Sequence, residues 1–224
     1  MRNASFTPFV GFLGACGLFW AIYLVFGYAV VEETMLEVQK IFYFHVSSAF
    51  VAFTAYAFTC VCSIIYLIRK NDKFDALASA SAELGLVFCT VVLVTGPIWA
   101  RSAWGTWWNW EARLTSSLIL WLMYIGYFIL RAMLDVDLRK TYSSVLGVMA
   151  FLNVPIVYYS VEIWQDRLHP PTNTKSQLPP SMTEAWLVSW LALTLLYVFL
   201  LILRTQSIQI KSRIDALQFD QVNS

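Results

Sequence analysis

Charge is scarce in this chain. Of its 224 residues, 13% are Asp, Glu, Lys or Arg, against 59% hydrophobic. A soluble domain of this length cannot hide that much apolar surface, so lipid must solvate a large part of it. A formal net charge of +1 excludes the basic footprint of a nucleic-acid binder. Cysteine is also sparse. Cys16, Cys60, Cys62 and Cys89 all fall in apolar stretches, and none stands in a CxxC or CxxCH. They read as small buried hydrophobes, and covalent haem attachment through a motif of the chain's own is excluded. There is no GxxxxGK[ST], so the chain cannot drive transport as a P-loop ATPase. Ser-His-Asp and metalloprotease patterns are missing as well. Histidine occurs twice, at His45 and His169.

Long apolar runs, in contrast, are abundant. A hydrocarbon core of about 30 Å needs about 20 helical residues. Six stretches qualify, at roughly 8–31, 41–68, 77–98, 116–134, 142–161 and 184–204. Each must be helical, because unpaired strand edges cannot be satisfied in lipid. The expected fold is therefore an all-α integral membrane protein, 1–224 forming one six-span domain. The first run is too long for a signal-peptide core and no small-residue cleavage site follows it, so it reads as a retained anchor. Gly11, Gly14 and Gly17 within it suit close contact with a partner helix. Pro179-Pro180 followed by Ser181-Met-Thr-Glu184 reads as a capping box opening the sixth span.

Basic residues set the expected orientation. Arg2, Arg69, Lys70, Lys73, Arg131, Arg139, Lys140, Arg204, Lys211 and Arg213 fall on one side. The other side has Lys40, Arg101, Arg113, Arg167 and Lys175. The richer side is expected to be cytoplasmic, with both termini inside and 205–224 as a cytoplasmic tail. The loops after spans one, three and five then face outward.

The third-span loop holds the most unusual segment, Trp104-Gly-Thr-Trp-Trp-Asn-Trp-Glu-Ala-Arg-Leu-Thr115. On a helix, Trp104, Trp107, Trp108 and Glu111 would share one face. The spacing predicts a short amphipathic helix on the membrane surface, its aromatic shelf suited to a large planar ligand. An interfacial aromatic belt is the competing reading for these tryptophans. It is the preferred one for Trp20, Trp121, Trp186 and Trp190, while Trp99 fits either. His45 lies about one turn inside the membrane edge, where an ionisable side chain points to function. His169 precedes Pro170-Pro171, which stiffens the backbone. Two neutral imidazoles on opposite sides of a plane can hold haem iron, and each could instead hydrogen-bond a neighbour. Arg113 suits an anionic group such as a propionate, and Arg101 suits lipid headgroups. Glu111 can orient Arg113 or cap the segment. Tyr158 and Tyr159 read as interfacial anchors, and Glu83 as a helix N-terminal charge.

The tryptophan segment resembles the "WWD" domain of haem-handling proteins in c-type cytochrome assembly. Six spans and two flanking histidines resemble the CcmC branch in particular, over about Ile41 to Leu203. That resemblance implies a multi-pass protein of the bacterial inner membrane. It would hold haem b non-covalently at the periplasmic face, through His45, His169 and the 99–115 segment. Matching positions there are Trp104, Gly105, Trp107, Trp108, Trp110, Glu111 and Arg113. The implied partners are the haem chaperone CcmE, the ABC transporter subunits CcmA and CcmB, and the small membrane protein CcmD. The acid after Trp110 is Glu111 where the family usually has aspartate. Ser47 stands where a proline commonly follows His-Val, and its replacement is expected to straighten span two. The longer CcmF relatives have more spans and histidines, and CcsA-type proteins an additional histidine within a span.

The function expected is haem binding and delivery, without enzymatic turnover. Two alternatives differ in class. A b-type cytochrome exchanging electrons with quinone would usually need four histidines for haems stacked across the bilayer. A permease-like scaffold would dock a partner through its outer loop and carry no pigment.

Overall fold

A computed structural model describes residues 6–165, 169 and 178–223. Six helical segments are long and apolar enough to cross a membrane: Phe6–Tyr28, Glu37–Arg69, Asp72–Trp104, Ala112–Met133, Leu138–Trp164 and Pro180–Gln218. The protein is an all-α, multi-pass membrane protein. The order is α1 (Phe6–Tyr23), α2 (Ile41–Arg69), α3 (Asp72–Trp104), α4 (Ala112–Met133), α5 (Val136–Phe151), α6 (Asn153–Trp164) and α7 (Pro180–Asn223). Phe12 and Phe19 are 66% and 75% exposed, as a lipid-facing surface requires.

Local chemistry sets the helix ends. Asn71 caps α3 by accepting from the Lys73 amide at 3.0 Å. At the other end Gly105 takes φ +76°, a left-handed C-terminal stop that glycine adopts without strain. Arg101 donates to the Gly105 carbonyl there, a cation closing a helix C-terminus. Ser181 does not open α7 as a cap. The helix starts at Pro180, and the Met182 and Thr183 amides bond the Pro179 carbonyl, so proline takes the first helical position. α2 runs unbroken through Ser47. Glu83 lies eleven residues inside α3 and pairs with Arg204 of α7 at 2.7 Å, so it is no N-terminal charge.

α2 and α3 form the centre, packed along their length. The partner of the glycine face on α1 is α7 of the same chain. A Cβ at Gly11 would come within 2.7 Å of the Phe199 ring, and one at Gly14 within 3.5 Å of the Leu196 backbone. At the Gly85 crossing, a Cβ would reach Tyr56 Cε1 at 2.6 Å. Tyr56 cannot yield easily, because its ring stacks on Tyr124 with centroids 3.8 Å apart.

The fifth span is broken. Pro155 has no N–H for the Phe151 carbonyl, and its ring crowds that carbonyl; the helix is interrupted at Leu152. Asn153 donates to the Ser116 carbonyl of α4 at 3.0 Å. α5 packs on both α2 and α4, whereas α6 packs on α4 and leaves α2. Val157 and Tyr158 of α6 line the candidate site.

Candidate haem-binding cavity

A cavity of about 540 Å³ occupies one end of the bundle, between α2, α3, α4, α6 and the start of α7. That volume is in the range of small-molecule and cofactor sites, about 300–1,000 Å³. Its walls are mainly apolar and aromatic, with Phe42, Phe50, Phe53, Trp99, Trp104 and Trp186 among them. The polar exceptions are few: His45, Arg113, Ser117, Tyr158, His169 and Thr183. Both histidines of the chain therefore face one hollow.

Each imidazole is held differently. His45 stands one turn into α2, and its Nδ1 lies 2.8 Å from Thr95 Oγ1 on α3. Gly96, next along α3, leaves room for the ring: a Cβ there would lie 3.3 Å from His45 Cε1. His169 packs against tryptophan. Its ring is 4.9 Å from Trp104, edge to face, and 6.3 Å from Trp99, nearly parallel. Trp99 and Trp104 are themselves perpendicular, with centroids 5.2 Å apart. His169 Nδ1 approaches Glu111 Oε1 at 3.1 Å. The approach is misaligned, and that nitrogen has no hydrogen-bond partner among the described residues.

Glu111 does the capping that its position suggested. Its Oε1 accepts from the Leu114 amide at 2.7 Å, starting α4, and the side chain is buried. Arg113, the second residue of α4, is on the cavity wall and donates to the Tyr158 carbonyl at 3.3 Å. Tyr158 is thus a wall residue of the site and not simply an anchor. Arg101, engaged at Gly105, is absent from the walls.

The tryptophan segment is not a surface helix. Trp104 ends α3, residues 105–110 are irregular, and Glu111 caps the next helix. Gly105 breaks the periodicity on which the shared face depended. The four indoles consequently diverge. Trp104 faces the cavity, Trp108 is half-buried against Trp110 at 5.7 Å, and Trp107 and Trp110 are 59% and 76% exposed. Trp186, which the sequence suggested was belt or core, lines the cavity, as does Trp99. Cys89 also lines it, while Cys16 is exposed on the outside of α1. Arg167, Lys175 and Pro170-Pro171 lie outside the described residues.

Two imidazoles, one guanidinium and an indole wall around a single hollow in a membrane bundle are the fittings of a candidate binding site for a large, planar, partly anionic ligand. Sequence comparison is more specific. The chain matches the family CcmC, Heme exporter protein C, over residues 2–220. It is 34% identical to Heme exporter protein C of Bradyrhizobium diazoefficiens over 189 residues, 82% of this chain and 72% of the relative. Against the Escherichia coli K12 protein of the same name, identity is 32% over 184 residues, 82% and 75% of the two chains. Against that of Paracoccus denitrificans it is 34% over 201 residues, 87% and 83%. The chain belongs to the CcmC, Heme exporter protein C, family.

Proposed function

We propose that this chain holds haem b, non-covalently, at the periplasmic face of a bacterial inner membrane and delivers it to the haem chaperone CcmE for cytochrome c maturation. The observation that carries this reading is that both histidines line one apolar cavity whose wall also carries Arg113. His45 and His169 would hold the iron of the bound cargo, and imidazole donors on it would keep oxygen from binding there. The residues present fit such a cargo. His45 has one ring nitrogen without a partner among the described residues, and Gly96 keeps the space beside its ring open. Trp99 and Trp104 provide flat apolar surface, and Arg113 provides the cation for a carboxylate.

Trp107 and Trp110 turn away from the hollow, and in this reading they meet the chaperone. Residues 99–115 then form the haem-facing and partner-facing segment, and 205–224 the cytoplasmic tail, of a single six-span domain. The ABC transporter subunits CcmA and CcmB and the small protein CcmD complete the assembly. The role is binding and hand-over, with no turnover chemistry. A quinone-linked cytochrome carrying two stacked haems is disfavoured, since the chain has two histidines in all and both are at one site.

The test is the absorption spectrum of the detergent-purified protein from haem-replete cells. Wild type is expected to show six-coordinate b-type haem, and His45→Ala and His169→Ala to lose it. If both variants keep the wild-type spectrum, the ligand assignment is wrong.

A further inference from the structure

We infer that Thr95 is a positioning residue that fixes the tautomer of His45, so that Nε2 presents its lone pair to the cargo. The inference rests on the haem-binding reading, and its geometry is independent of any bound group.

Thr95 Oγ1 has two close neighbours. One is the Val91 carbonyl, one turn back on α3, at 2.7 Å. The other is His45 Nδ1 on α2, at 2.8 Å. A hydroxyl has one hydrogen and two lone pairs, and a carbonyl can only accept. If the Thr95 hydrogen went to His45, the Val91 contact would become two oxygen lone pairs facing each other at 2.7 Å. Only one arrangement satisfies both contacts: Thr95 donates to Val91 and accepts from His45. Nδ1 then carries the hydrogen. In a neutral imidazole this leaves Nε2 unprotonated, which is the form a ligand must take.

Position agrees with this role. Thr95 is not among the cavity-lining residues, whereas His45 and its neighbour Gly96 are. The hydrogen bond is therefore made behind the ring, away from the hollow. The bond also ties the N-terminal part of α2 to α3. Among the described residues His169 has no equivalent: its Nδ1 faces a carboxylate oxygen of Glu111 out of line. The two candidate ligands thus differ in preparation, one with its hydrogen placed beforehand.

The chain has only two histidines, so ring-¹⁵N-labelled histidine yields two sets of imidazole resonances. Those shifts distinguish a protonated ring nitrogen from a bare one. Cargo-free, full-length protein in detergent is expected to show His45 as the Nδ1–H tautomer, assigned by its loss in His45→Ala. Thr95→Val removes the acceptor, and the Nε2–H tautomer is expected to appear. Its haem dissociation constant is expected to rise about 10–100-fold, the usual effect of losing such an outer partner. Thr95→Ser restores both readouts. Thr54→Val removes a comparable hydroxyl-to-carbonyl bond on α2, to Phe50, and is expected to change neither. A wild-type His45 with hydrogen on Nε2 overturns the inference, even if Thr95→Val fails to fold. So does a Thr95→Val protein whose tautomer and affinity match wild type. Loss of haem binding in His45→Ala alongside either result would leave the haem-binding reading standing and remove only Thr95. Retention of the spectrum in both histidine variants would remove the reading itself.

Discussion

Removing Asp75 should destabilise this protein severely, while removing Glu83 should barely matter, although each pairs with an arginine. Asp75 receives both Arg131 nitrogens, Nη1 at 2.6 Å and Nη2 at 2.9 Å, in a fork-to-fork pair joining α3 to α4. Nη1 also donates to Ser143 of α5 at 2.7 Å, and the guanidinium lies 5.7 Å from the Tyr127 ring. The side chains of Arg131 and Asp75 are 12% and 8% exposed. Taking the carboxylate away strands a charge among apolar helices, which costs about 3–5 kcal/mol. The Glu83–Arg204 pair is 40% and 45% exposed, and such pairs contribute about 0–1 kcal/mol. In a chain of this size each kcal/mol moves the melting temperature by about 2–4 °C, so Asp75→Ala should lower it by about 6–20 °C. Glu83→Ala should lower it by no more than about 4 °C. A thermal scan of intrinsic tryptophan fluorescence in detergent reads both. Replacing Asp75 and Arg131 together by apolar residues should cost less than Asp75→Ala alone, because no stranded charge remains. Equal losses from Asp75→Ala and Glu83→Ala would refute the argument from burial.

Three further outcomes follow from the geometry. In a haem titration, Trp99→Ala and Trp104→Ala should each weaken binding by about 2- to 12-fold, whereas Trp107→Ala and Trp110→Ala should leave it unchanged, because only the first two line the cavity. Gly85→Ala should lower thermal stability by about 1–3 kcal/mol despite alanine's helix preference, since the added methyl meets a Tyr56 ring held by Tyr124. Glu32, between α1 and α2, accepts from the Met35 and Thr34 amides, which hold its carboxyl below the ordinary 4.5. A lowered folded value means the contribution is present above that ordinary range and lost as pH falls through the folded one. The protection of the Met35 amide, the intrinsic exchange rate over the observed rate at the same pH, should accordingly fall on acidification below about pH 4.5 and stay level between pH 6 and 8.

Which residues the sequence could reveal depended on the range of the interaction. Six spans follow from hydropathy, since lipid imposes the same requirement on every segment. His45, Trp104 and Arg113 stood out because their residue types are rare or costly at a membrane boundary. The cap formed by Glu111 was visible as an acid ahead of a helical run. Thr95, Trp186 and Tyr158 carried no such mark. Their roles arise from contact between α3 and α2, or from closing a cavity wall; for Thr95 the contact that matters is with His45, 50 residues away. Periodicity misled at Trp104–Glu111, where a single residue with positive φ, Gly105, ends the helix that would have aligned the indoles. The glycines of α1 announced a close neighbour, but only the packed structure shows it to be α7.

The interruption at Leu152 has a consequence for how such a protein can vary. The second half of the fifth span packs on α4 and lines the hollow through Val157 and Tyr158, and Pro155, at the break, is not among its walls. The break is therefore a backbone feature beside the chamber, at the level of Ser116 of α4. The wall side chains are left to decide which guest is accepted and how it is turned. A change of helix path and a change of wall side chain are thus separate routes by which such a hollow can vary.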